Sequence, residues 1–453
     1  METGAGLAGE MRPLIAHLFR RAGFAARAAE LDHYQGVGYE TSVEELLSDA
    51  PLMGQQPSFP EATESVQEPT YNLVGRLAPR GLLDIQTEWL NRMVTSTKPL
   101  VERMTLFLHD HFATAYRPGD IIDTQELTAQ NHLFRRNALG NWRTLCHAML
   151  EDVALSAWLD NNVNVKEHPN ENLARELMEL FTLGVGNYTE TDVREAARAL
   201  TGYQIGYNLE PSGPRNMMVF NAELHDDGAK TILGKTGKFM PHDVIDIVLA
   251  HPAASRFLAG KLIEAFVTPA PSSAFVDKIA QTLVAGNWDL VPALRAIFTS
   301  FEFKDPAVRG ALVKSPAEFM TGAFRALGRT ENDLLQAGIG WMKHAGQALY
   351  DPPNVGGWPH NEGWLGAGQV LARYNAGNAI ADRHVAAFVL PGQTAIRAAT
   401  VKGWGEVFGM TELAPATATA LQSYLDQAKD PTPQALEAAM ITLVIASPDF
   451  SLA

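Results

Sequence analysis

Residues 168–202 read HPNENLARELMELFTLGVGNYTETDVREAARALTG, and their spacing decides how the chain is built. Pro169 and Asn170 open the stretch, and Asn170 is a good N-cap for a helix running to about Leu183. At about 100° per residue, Leu173, Leu177, Leu180 and Phe181 share one face, while Glu171, Arg175 and Glu179 fall roughly opposite. Gly184 and Gly186 stop the helix. Thr189 then opens a Thr-Glu-Thr-Asp start signal for a second helix that carries Arg194 and Arg198 one turn apart. Two short helices around a glycine turn thus present carboxylates and guanidiniums at helical spacing. Taken alone, these are solvated ion-pair faces; taken with other polar segments of the chain, they form an inward polar wall.

Outward from this pair the period stays near 3.6. Trp89, Leu90, Met93 and Val94, then Leu100, Met104, Phe107 and Leu108, predict helix from Ile85 to Phe112, ending on His109-Asp110-His111. Residues 124–160, 243–300, 369–384 and 434–446 repeat the pattern. Residues 203–244 break it with Gly, Pro and Asn around short apolar pieces, which predicts one β-hairpin or an irregular insertion. Residues 51–69 are a linker-like surface excursion, and 350–368 form a Pro-, Gly- and Trp-rich loop. ALRAIFTSFEF (293–303) and ITLVIASPDF (441–450) echo each other, each ending a helix with Ser, an acid and Phe. The predicted fold class is mainly α, as a single large helical domain over 1–453.

Composition narrows the partners. Of 453 residues, 46% are hydrophobic and 19% charged, as in a folded globular chain. The formal charge of −15, with no basic run longer than Arg20-Arg21 or Arg135-Arg136, argues against nucleic acid. A single cysteine, Cys146, in the apolar run WRTLCHAML, excludes an internal disulfide and a cysteine-based zinc site. The opening METGAGLAGEMRPL has no apolar core of a leader, and no window of about 20 apolar residues predicts a membrane span. As written, the chain is expected in the cytoplasm.

The stretch PNENLARELMELFTLGVGNYTETDVREAARALTGY (169–203) resembles the signature of the bacterial domain-of-unknown-function 1800 family. LIAHLFRRAGFAA (14–26), ERMTLFLHDHF (102–112), LHDDGAKTILG (224–234), VKSPAEFMTGAFRALG (313–328), GQALYDPPNVGGWP (346–359) and WLGAGQVLARYN (364–375) match further segments in the same order. The chain departs from the family pattern at Leu108, where Trp is usual, and at Asp110, where Asn is usual. The resemblance brings no established reaction. It implies proteins that are often exported and encoded beside a sulfatase-like family, and hence a sulfatase-like protein as a partner.

The matching segments contribute His109, His111, Glu171, Arg175, Glu176, Glu179, Arg194, Arg198, His225, Asp226, Lys230, Lys314, Glu318 and Trp358. Titratable groups drawn from separated segments are what an active or metal site needs. His109, His111 and His225, with a carboxylate from Glu171, Glu176 or Asp226, suit a borderline divalent metal; His109 and His111 equally suit a helix end and a buried carbonyl. Asp226 and Lys230 in HDDGAK suit acid–base chemistry and an anionic substrate, or a tight Gly turn. Arg175, Arg194 and Arg198 suit an anion or internal ion pairs. The expected catalytic residues are therefore Glu171, Arg175, Glu176, Asp226 and Lys230, with His109, His111 and His225 as metal ligands. Two function classes follow: an enzyme with this polar site, or a non-catalytic helical protein in which the charges form a buried network. Ser315 before Pro316 predicts a helix start, Trp358 and Trp364 near Asn354 predict a pocket wall or a packed loop, and Cys146 is expected in the core. No nucleophile elbow, Walker loop, dinucleotide fingerprint or HExxH occurs.

Overall fold

The apolar stripes fold as helices wherever the 3.6-residue period is strongest. A computed structural model describes residues 4–48, 81–207, 216–387, 400–428 and 432–453. The Leu82–Thr95 helix buries Ile85, Trp89, Leu90, Met93 and Val94 on one stripe. The Pro99–His111 helix starts with Pro at its first turn and buries Leu100, Met104, Leu108 and His109. Ser315 caps the Pro316–Leu327 helix in a reciprocal box with Glu318, as its position before Pro316 predicts. The fold class is mainly α.

The insertion at 203–244 contains the only sheets among the described residues, two antiparallel pairs. Tyr203–Tyr207 pairs with Asn216–Phe220, placing Tyr203 opposite Phe220. Lys230–Ile232 pairs with Lys235–Gly237 across Leu233-Gly234, whose φ values of 47° and 77° suit a tight hairpin turn. The linker-like excursion at 51–69 lies outside the described residues. No helix among the described residues is long and apolar enough to cross a membrane.

Apolar packing forms two clusters. Ile15, Phe19, Leu100, Met104, Phe112, Phe134, Phe181 and Phe266 belong to one. Trp89, Leu90, Phe319, Phe324, Ile380, Trp404 and Phe450 belong to the other. Cys146 sits inside the first, and burial pushes its thiol pKa up. Arg325, 1% exposed, pairs with Glu30 at 2.8 Å and donates to the carbonyls of Ala25, Val94 and Ser96. A guanidinium so buried is tolerable because each of its three nitrogens finds an acceptor.

The echoed segments share their caps. Ser300 accepts from the Phe303 N–H and Ser447 from the Phe450 N–H, and both phenylalanines are fully buried.

In the 168–202 stretch the structure departs from a simple helix. Asn170 accepts from the Asn172 N–H, so α-helix begins at Asn172 and runs to Glu176. Leu177–Thr182 then winds as a π-helix, with the Leu183 N–H reaching the Met178 carbonyl. One extra residue per turn rotates the following side chains by roughly 100° relative to an α-helix. Leu173, Leu177 and Phe181 remain buried, Met178 joins them, and Glu179 and Leu180 turn to a cleft wall. Gly184 and Gly186 end it at φ 79° and 86°, and Thr189 opens Glu190–Ala199 with an Asp192 capping box.

Candidate functional site

Several of the resemblance segments meet at one cleft of about 760 Å³. Arg21 comes from LIAHLFRRAGFAA, Arg103, Asp110 and His111 from ERMTLFLHDHF, and Glu179 from the π-helical turn. Ser315 and Glu318 come from the helix start at Pro316, and Trp358 from the Gly-Gly-Trp-Pro loop. Trp358 and Trp364 both line the cleft and are 4% and 2% exposed, so the loop is at once packed and a pocket wall. A volume of this size, with apolar walls between groups of charged side chains, is that of a small-molecule site.

The polar centre of one wall is Asp110, at the end of the Pro99–His111 helix. Its Oδ1 accepts the Trp358 N–H at 2.8 Å, and its Oδ2 accepts from His360 Nε2 at 2.6 Å. The loop comes this close because Gly357 adopts φ 82°, and a Cβ there would fall 2.7 Å from the Asp110 carbonyl oxygen. The hydrogen bond that His360 donates to Asp110 raises the His360 pKa above the usual imidazole value. The His360 side chain is half exposed, so the pair is open to a ligand.

The floor is cationic. Arg103 pairs with Glu318 at 2.6 Å, and both are largely buried. Burial pushes the Glu318 carboxyl up, but the Arg103 charge and the Ser315 N–H hold it below its usual range. Arg21, 1% exposed, donates Nη2 to the carbonyls of Val267 and Val308.

The predicted metal ligands stand in separate surroundings. His109 packs edge-on against Trp89 and Tyr350, and its Nε2 accepts the Tyr350 N–H at 3.0 Å. His111 Nε2 lies 3.0 Å from the Phe181 carbonyl, its ring stacked on Phe107. Burial pushes both pKa values down to about 4, which keeps the rings neutral. His225, 6% exposed, bonds the Thr201 carbonyl through Nδ1 at 2.9 Å and packs on Phe220. No group of three or more His, Cys, Asp or Glu able to hold one ion occurs among the described residues. As a set, these three histidines do not fit a metal, because they do not come together with one another or with a carboxylate around a single point.

The expected catalytic residues also stand apart from the cleft. Arg175 bridges Glu171 at 3.2 Å and Glu190 at 2.7 Å on an open surface, with Glu190 the most exposed of the three. Glu176 is half-buried beside Glu179, and burial raises its pKa. Asp226 pairs with Arg198 at 2.7 Å and accepts the Gly228 N–H at 2.9 Å. Lys230, 1% exposed, directs its ammonium to the carbonyls of Asp226, Gly228 and Phe239, which ties the loop together. Of the eight residues expected to form the site, His111 alone lines the cleft. The inward wall expected from Glu171, Arg175, Glu176 and Glu179 is therefore corrected: Glu179 lines the cleft with His111, whereas Glu171 and Arg175 form a surface bridge with Glu190 and Glu176 lies outside the cleft lining.

Sequence reasoning missed His360 and Arg21 and passed over Asp110. The signal for Arg21 was present, as a second arginine in an otherwise apolar helical run (LIAHLFRRAGFAA).

A sequence profile described as protein of unknown function (DUF1800) matches residues 17–452. Neither a curated protein nor a solved structure matches the chain. With its profile matched over nearly the whole length, the chain belongs to the DUF1800 family, whose members are described as proteins of unknown function.

Proposed function

We propose that this protein is an enzyme acting on a small molecule held in the cleft, with Asp110 and His360 as its proton-transfer pair. The observation that carries the reading is the meeting of the resemblance segments at one cleft whose wall holds a hydrogen-bonded carboxylate–imidazole pair. Asp110 fixes the Nε2–H tautomer of neutral His360, which leaves Nδ1 as the basic nitrogen. A neutral His360 accepts a proton from the ligand or from water; the imidazolium so formed is stabilised by Asp110 and returns the proton to a leaving group. Trp358 supplies a backbone N–H that holds Asp110 in place.

The test is a panel of esters, amides, phosphate monoesters and sulfate monoesters assayed with the wild type, His360→Ala and Asp110→Asn, beside a crystallographic fragment screen. Turnover lost in His360→Ala and reduced in Asp110→Asn, with fragments seated in the cleft, supports the reading. Turnover that survives in His360→Ala, or fragments that bind elsewhere and leave the cleft empty, overturns it.

A further inference from the structure

Arg21 is a cation with too few partners. Two of its contacts are carbonyls, and its Nε and Nη1 are buried with no hydrogen-bond partner. Arg103, on the same floor, uses Nη2 for Glu318 and the Ala265 carbonyl, while its Nε is likewise unpartnered. Arginine does not shed its proton in a protein, so the deficit cannot be relieved by neutralisation.

The local charge is also unbalanced. Glu318 is the carboxylate that acts on Arg21, and it is at the same time the ion-pair partner of Arg103. It also acts on buried Lys314 and on Arg373, whose Nε and Nη1 have no partner. Arg20, next in the chain, looks instead to Asp449. One carboxylate thus serves four cations beneath the cleft. Buried charges normally occur paired, and a buried donor left without an acceptor costs about 1–3 kcal/mol or more. Of the acids on the other walls, Asp110 holds His360 and Glu179 accepts from the Tyr188 hydroxyl at 2.5 Å, while Glu264 and Glu362 also line the cleft.

We infer that the floor of the cleft is a seat for one oxoanion, formed by Arg21 and Arg103, and that the ligand of this site carries a carboxylate, phosphate or sulfate group at that end. The seat names the ligand class of the site proposed above and rests on that cleft being a ligand site. Its oxygens take the free donors of the two guanidiniums, and the rest of the ligand extends along Phe107 and Leu180 toward His360, all of which line the same cleft.

The experiment uses the full-length protein and three probes: selenate, inorganic phosphate and acetate. Crystals soaked in selenate are expected to show one anomalous peak within hydrogen-bond distance of Arg21. In solution, the thermal midpoint is expected to rise saturably with phosphate or selenate over sodium chloride of equal ionic strength, as for a ligand that binds the native state alone. A response to acetate that exceeds the phosphate response assigns the seat to a carboxylate; the reverse order assigns it to a tetrahedral oxoanion.

Arg21→Met removes a residue that ties Val267 and Val308 and is not the decisive variant. Glu318→Gln is, because it keeps a carbonyl oxygen for the Ser315 N–H while removing the carboxylate that acts on Arg103 and Arg21. It should tighten anion binding by roughly tenfold or more, whereas a merely structural cluster loses stability and gains no affinity. No peak at Arg21 and no anion-specific midpoint shift in the wild type overturn the seat. Selenate at Arg21 with turnover independent of His360 sinks the acid–base reading and leaves the seat standing; His360-dependent turnover with no anion at Arg21 does the opposite.

Discussion

Gly357→Ala probes the geometry of the cleft wall most sharply. Gly357 holds φ 82°, and a Cβ on it would meet both the Asp110 carboxylate and, at 2.7 Å, the Asp110 carbonyl oxygen. Left-handed backbone costs an alanine about 1–2 kcal/mol. Backbone oxygen cannot yield, so the loop must retreat and stretch the 2.8 Å bond from Trp358 N–H to Asp110. A hydrogen bond to a charged group contributes about 1.5–3 kcal/mol. Together the loss should be about 2.5–5 kcal/mol, read as a fall in the urea midpoint at unchanged slope. NMR titration of His360 supplies the second readout, since a retreating loop also separates His360 from Asp110 and returns its pKa toward the ordinary imidazole value. Gly356→Ala is the control: it has no positive φ, its Cβ would meet only Asn354 Oδ1 at 3.1 Å, and it should cost less than about 1 kcal/mol. A Gly357→Ala protein within about 1 kcal/mol of wild type, with His360 titrating unchanged, would refute the reasoning.

Three further outcomes are expected. Asp110→Asn should lower the His360 pKa measured by NMR; because the folded-state value is raised, the pair's stabilisation is full below about pH 6.5 and fades as pH rises through the folded pKa. For a side chain that is 56% exposed this amounts to no more than about 1 kcal/mol. Buried His109 and His111, held neutral with pKa values pushed down to about 4, should make stability fall as pH drops from about 6.5 toward 4, since the unfolded chain binds the protons that the fold refuses; a midpoint that is flat or rises across that window in acid titration contradicts it. Arg325→Met takes one of two guanidinium partners from Glu30, 2% exposed on its side chain, and leaves it Arg27 at 2.9 Å; the loss should be about 1.5–3 kcal/mol in denaturant unfolding, and a change under about 0.5 kcal/mol contradicts it.

What could be read in advance follows from the range of the interactions. Stripes such as Trp89, Leu90 and Met93, and caps such as Thr189 with Asp192 or Ser315 with Glu318, are local patterns of at most a turn or two. The helices were therefore legible. Even locally, the π-turn at Leu177–Thr182 was hidden, because a widened turn keeps nearly the same apolar residues inside and changes only where Glu179 and Leu180 point. Lys230 and Asp226 were legible as a cluster but not in role, since three backbone carbonyls that capture an ammonium leave no mark in residue types. Asp110 and His360 lie 250 positions apart, and no periodicity connects them. Glu171 and Arg175 looked functional only beside the other polar segments; their exposure shows the surface bridge that their spacing alone predicts.

The cleft also has a place in time. Its walls include Arg21 and Trp364, so no contiguous fragment short of that span can build it. At about 5–20 residues per second, a ribosome needs roughly 20–70 s between those two positions. Until the later wall emerges, Arg21 and Arg103 face a half-made pocket whose lining is open to water or to other proteins. Closure over sequence separations this long is slow in any refolding chain. A ligand that fits the finished cleft binds none of the earlier species, so its binding reports the fraction of chains that have completed the fold.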